Sequence, residues 1–104
     1  MAKYSDSLMK GKYMPNAELY NAMGNAKRLA IINTIGSQDV SASALAKALK
    51  ISNANLSQHI RILKHVRLVQ VHRKGLEAYY RLADPRVLNA CTILHTFSKA
   101  HRRS

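Results

Sequence analysis

Asn53, Asn55, Ser57, Gln58 and Arg61 stand in one short run of the chain, and they carry the side chains that base edges accept. A guanidinium pairs bidentately with guanine, a carboxamide with adenine, and a methyl such as that of Ala54 can touch thymine. At 100° per residue, positions 53–65 divide cleanly. Leu56, Ile60 and Leu63 form a narrow stripe expected to face a core. Ala54, Gln58, Arg61 and His65 lie opposite, with Ser57 on one flank and Asn55 on the other. Ser52, Asn53 and the first free backbone N–H groups suit a phosphate. On its own such a face is also that of any solvated amphipathic helix, so its surroundings must decide.

Those surroundings are basic and ordered. No acidic residue occurs from position 40 to 76. Before the polar run, Leu45, Ala46 and Leu49 mark a short helix, and Lys50-Ile51-Ser52 forms a turn in which Ser52 can cap the next helix. After it, Leu68 to Arg73 alternates as a strand, Lys74-Gly75-Leu76-Glu77 turns, and Ala78 to Leu82 returns. Two helices joined by a tight turn and followed by a basic hairpin make a winged helix-turn-helix, with 53–65 as the groove-reading helix. Arg73 and Lys74 are then placed at the hairpin tip, within reach of the DNA backbone. Lys27, Arg28, Lys47, Lys50 and Lys64 are further candidates for phosphate.

The rest of the chain frames this unit. Residues 1–15 read as a basic N-terminal arm, and 16–104 as the DNA-binding and dimerisation domain. Asn16 is expected to cap a helix reaching Met23 and stopped by Gly24. Asn25 caps the next, whose Leu29, Ile31, Ile32 and Ile35 cover more than one face and should be buried before Gly36 ends it. Gly36-Ser37-Gln38-Asp39 reads as a polar turn, and Asp84-Pro85 starts a last helix reaching about His101. The expected fold is mainly α with a small β-hairpin wing.

Composition agrees. The chain has 104 residues and a formal net charge of +12, from 17 Lys plus Arg against 5 Asp plus Glu. That is one domain, and its charge concentrates polyanions, of which double-stranded DNA is the obvious one. A domain this small buries a modest core, so a homodimer is favoured. There is no membrane-length apolar run, no secretory leader and a single cysteine, which points to the cytoplasm. Three Asp and two Glu are scattered without a paired-carboxylate, phosphate-loop or nucleophile–base motif, so no catalytic residue and no enzyme is expected.

Met23-Gly24-Asn25-Ala26-Lys27-Arg28-Leu29, Leu45-Ala46-Lys47-Ala48-Leu49, Leu56-Ser57-Gln58-His59-Ile60 and Tyr79-Tyr80-Arg81-Leu82-Ala83-Asp84-Pro85, in this order, resemble the ArsR/SmtB family of winged-helix repressors over residues 16–100. The resemblance implies a dimer through the first and last helices, a palindromic operator, and release by an inducer or metal. It also implies DNA reading by Ser57, Gln58 and His59, although the wheel puts His59 nearer the core edge than the groove.

The sensing positions depart from the family. Ser41 and Ser43 stand where its thiolate box has cysteines, and a hydroxyl is a poor ligand for soft metals. Its last-helix site keeps Asp84 but has Arg86, Phe97 and Ala100 at the other positions, and Asn33 replaces the cysteine of its dithiol switch. His95 and His101 are six apart and cannot chelate as neighbours on one helical turn. No metal and no cofactor is expected. Cys91 reads first as a small apolar residue near the dimer seam, and as the candidate sensor if its thiol is exposed and activated. The function read here is a sequence-specific dimeric repressor of unknown inducer. The alternatives are a constitutive DNA-coating protein and a repressor switched by Cys91.

Overall fold

The computed structural model describes residues 5–102. Its elements are α1 (Asp6–Leu8), a π-helical turn (Met9–Tyr13), α2 (Met14–Met23), α3 (Ala26–Ile35), β1 (Val40–Ser41), α4 (Ala42–Leu49), α5 (Asn53–His65), β2 (Val69–Lys74), β3 (Glu77–Leu82) and α6 (Val87–His101). Among the described residues no helix is long and apolar enough to cross a membrane.

Three local signals act as expected. Asn25 Oδ1 accepts from the amides of Lys27 and Arg28, Ser52 Oγ accepts from Asn55 N, and Gly36 ends α3 at φ 59°, where a Cβ would be strained. The start of the first long helix differs from expectation. Helical structure begins at Asp6, with Ser5 accepting from Leu8 N, and runs through the π-turn into α2. Asn16 therefore lies inside a helix and caps nothing; Ser5 takes that role because the first turn forms eleven residues earlier. Residues 1–4 of the expected arm lie outside the described residues.

The turn before α4 also differs. Val40 and Ser41 form a short strand that pairs antiparallel with β3, Val40 opposite Tyr80 and Ser41 opposite Tyr79. The sheet order is β1-β3-β2, so the return strand of the wing is central. Two residues leave no periodicity in the sequence to detect. At the other end, α6 begins at Val87, later than Asp84-Pro85. Asp84 Oδ1 accepts from Arg86 N, and 3₁₀-type bonds from Val87 N to Asp84 O and Leu88 N to Pro85 O lead into the helix.

The core joins Ile31, Ile32 and Ile35 of α3, Leu45 and Ala46 of α4, Leu56, Ile60 and Leu63 of α5, and Leu68, Val69, Tyr80 and Leu82 around the sheet. Leu29, expected inside, is 38% exposed. It faces α6 across an apolar groove of about 910 Å³, lined also by Tyr20, Met23, Cys91 and Leu94. None of the residues of α6 is buried.

Candidate nucleic-acid interface

The recognition helix is held by its two ends and one stripe. Leu56 and Leu63 are fully enclosed and Ile60 nearly so, which fixes the rotation of α5 about its axis. The turn before it is closed by bonds from Lys50 N to Lys47 O and Ile51 N to Ala46 O, with Lys50 left-handed at φ 56° and ψ 45°. A glycine is usual at this position, and a lysine here costs about 1 kcal/mol. The same device recurs after α5, where Arg67 has φ 65° and Leu68 N bonds to Leu63 O.

With that rotation set, Asn53, Ala54, Ser57, Gln58, Arg61, Lys64 and His65 are exposed. Ser52 Oγ accepts from Asn55 N and so caps the helix mouth, a bond that leaves its O–H donor for an anion. Asn55 turns partly inward: it is half-buried, and its Oδ1 is covered without a hydrogen-bond partner among the described residues. Arg61 is exposed but also lines a cleft of about 370 Å³ against α2, with Glu18, Asn21, Ile62 and His65.

His59 sits at the core edge. Its ring is half-buried, and its Nδ1 lies 3.4 Å from Arg28 Nη1. Burial, and then the charges of Arg28 and Lys27, hold its pKa below the ordinary 6.5. The imidazole is therefore neutral at pH 7, and Nδ1 accepts from the guanidinium. Arg28 Nε donates at the same time to Ala22 O at the end of α2. Arg28 thus staples α2, α3 and α5 together with two of its donors, a structural role the sequence expectation did not include. A guanidinium has donors for both bonds in one plane.

The wing is a two-residue hairpin. Lys74 pairs with Glu77 across Gly75-Leu76, and Gly75 takes φ 64°. Register puts Arg73, Val71 and Val69 on the core-side face with Ala78, Tyr80 and Leu82. Lys74, His72 and Gln70 share the opposite face with Glu77, Tyr79 and Arg81. Arg73 and Lys74, adjacent in sequence, therefore point to opposite faces of the hairpin. Arg73 Nη1 reaches Leu76 O at 3.4 Å. Lys74 bends back, its Nζ 3.6 Å from Asp39 Oδ2 and 4.7 Å from the centre of the Tyr79 ring. Tyr80 is the core tyrosine and Tyr79 the outer one.

Sequence reasoning missed the carboxylates that tie the wing down. Glu77 Oε1 accepts from Ser43 N in the first turn of α4, beside the Ser41 Oγ bond from Ala44 N. Asp39 takes His72 and Lys74. The only signal was that these two residues bound the acid-free stretch, and spacing does not reveal what they touch.

A helix-turn-helix domain model matches residues 23–72. The transcriptional repressor SdpR of Bacillus subtilis is 31% identical over 62% of this chain and 71% of its own length. The chain belongs to the ArsR/SmtB family. Another relative, the transcriptional repressor SmtB homolog of Synechocystis, is 37% identical over 70% of this chain, which spans 55% of that protein's length. Among solved structures, the homodimeric winged helix-turn-helix DNA-binding domain of Mb0332 from Mycobacterium bovis is similar with a TM-score of 0.82. It is 25% identical, over 99% of this chain and 94% of that one. The fold is accordingly a winged helix-turn-helix, and the family and fold are those of DNA-binding transcriptional regulators.

The ArsR/SmtB sensing positions have other uses in this chain. Ser41 caps α4, and Asp84 is engaged at 2.7 Å by Arg86, whose side-chain and backbone hydrogen bonds hold the carboxyl below the usual range. Neither set of donors fits a soft metal. Among the described residues no three His, Cys, Asp or Glu side chains gather as a metal site. Cys91 is half-buried on the wall of the α2–α3–α6 groove.

Proposed function

We propose that this chain is a cytoplasmic dimeric repressor that binds a palindromic operator in duplex DNA without a bound metal. One observation carries the reading: α5 buries Leu56, Ile60 and Leu63 and thereby presents an outward face of amide, hydroxyl and guanidinium groups, with no carboxylate, beside a basic hairpin. In this reading Ser57, Gln58 and Arg61 read base edges in the major groove. Ser52, Asn53 and Asn55 set the helix mouth against a phosphate, His59 holds the helix in place through Arg28, and Arg73 and Lys74 of the wing meet the backbone.

The second copy covers α6. Tyr20, Leu94, Ile93 and Phe97 are between 59% and 69% exposed in the single chain, an apolar surface too large to leave in water. Pairing through α2 and α6 buries it and sets two recognition helices against two half-sites, which is why the operator is read as palindromic.

The test is binding of the purified protein to its own upstream DNA and to a scrambled duplex, at low and at physiological salt. Several-hundred-fold preference that survives physiological salt is expected of the repressor. Equal binding that collapses for both duplexes as salt rises would instead describe a protein that coats DNA.

A further inference from the structure

The outer face of the wing carries a group of side chains outside the base-reading set. His72 Nε2 lies 2.8 Å from both Asp39 Oδ1 and Asp39 Oδ2. Facing two acceptor oxygens, Nε2 must carry the proton. Lys74 Nζ approaches the same carboxylate at 3.6 Å, and the Tyr79 ring forms the floor, stacked on His72 at 5.8 Å and beneath Lys74. Asp39 precedes β1, whereas His72 and Lys74 belong to β2, so the contact spans the whole sheet across β3. Two N–H donors converging on a pair of carboxylate oxygens can equally serve the oxygens of a phosphodiester.

We propose that His72 and Lys74 form a phosphate seat on the wing, occupied in the free protein by the carboxylate of Asp39, which duplex DNA must displace to engage the wing. The inference rests on the DNA-binding reading and deepens it. Asp39 stands in for a phosphate and sets a threshold: weak, misplaced duplexes meet a wing whose donors are already taken. The carboxylate lies on the surface, with a third of its side chain exposed, and can swing away without opening the core.

The experiment uses the full chain and a scrambled duplex across a salt series. Asp39→Asn keeps a side chain of the same shape but removes the competing charge. It should bind the scrambled duplex about three- to fourfold more tightly near 50 mM salt than near 200 mM, relative to wild type, because one added phosphate contact steepens the log–log salt slope by about 0.9. Asp6→Asn makes the same charge change on α1 and should not alter the slope. In a His72→Gln/Lys74→Ala background the Asp39→Asn gain should disappear. The imidazole resonances of His72 in the wild-type protein should also move as duplex is added, a readout independent of any variant's folding. An unchanged slope in Asp39→Asn, an equal gain in Asp6→Asn, or a gain that persists without the two donors would each overturn the seat while leaving DNA binding intact. Failure of the wild type to bind any duplex at low salt would remove both readings.

Discussion

Helices α5 and α6 have thirteen and fifteen residues, and both carry apolar and polar positions on one chain, yet their surroundings are opposite. The apolar stripe of α5 is filled by α3, α4 and the sheet, so its polar face is the one left in water. No residue of α6 is buried, and its exposed residues include Ile93, Leu94 and Phe97. A helix packed on its own chain is oriented by that chain and can offer a fixed set of polar groups to a ligand. A helix whose apolar side remains outside is unfinished, and in the proposed dimer a second copy completes it. Position in the tertiary structure, more than composition, separates the helix proposed to read DNA from the one proposed to assemble the dimer.

The sharpest way to break this contrast is truncation of matched leucines. Leu63→Ala removes a fully enclosed side chain and should cost about 2–5 kcal/mol in chemical denaturation, independent of protein concentration. Leu94→Ala should cost the single chain less than about 0.5 kcal/mol. It should instead raise the protein concentration at which sedimentation detects the dimer. Equal stability losses from the two would erase the distinction.

The polar face of α5 gives the next effect. Gln58→Ala should lose about 1–3 kcal/mol of preference for the operator over a duplex changed at one base pair, with no shift in Tm. A loss shared equally by all duplexes would assign Gln58 to the backbone. Smaller still, Ser52→Ala removes the cap that accepts from Asn55 N and should lower stability by about 1 kcal/mol. Replacing Arg86 by Ala at the start of α6 removes no such side-chain cap.

The last prediction concerns pH. His59 is held neutral by burial and by Arg28 and Lys27, so its folded pKa lies below 6.5 while the unfolded chain keeps the ordinary value. The unfolded state therefore takes up the proton first, and stability should fall as pH drops below about 6.5. Asp39 and Asp84, whose pKa values are lowered chiefly by hydrogen bonds from His72 and Arg86, contribute stability that is present above 3.8 and is lost as pH falls below it. The two windows are distinct. His59→Gln should flatten the decline between pH 6.5 and 5, as measured by urea titration.

Much of the framework of the candidate interface was legible in the chain. The stripe of Leu56, Ile60 and Leu63, the Ser52 and Asn25 caps and the hairpin all rest on contacts within a few residues, where periodicity and side-chain chemistry act directly. The structural role of Arg28 was hidden because its partners, Ala22 O and the ring of His59, come from α2 and α5. Asn16 misled because local capping chemistry competes with helix already formed upstream. Strand β1 was invisible because two residues become a strand only when β3 lies beside them.

The sequence by itself determined which helix could read DNA, since an amphipathic face and the absence of acids are properties of spacing and charge. Tertiary structure alone decided that Arg73 and Lys74 point apart, that Asp39 occupies the donors of the wing, and that α6 is left uncovered. Those outcomes depend on register and packing between distant segments, whose energies no single stretch of the chain contains.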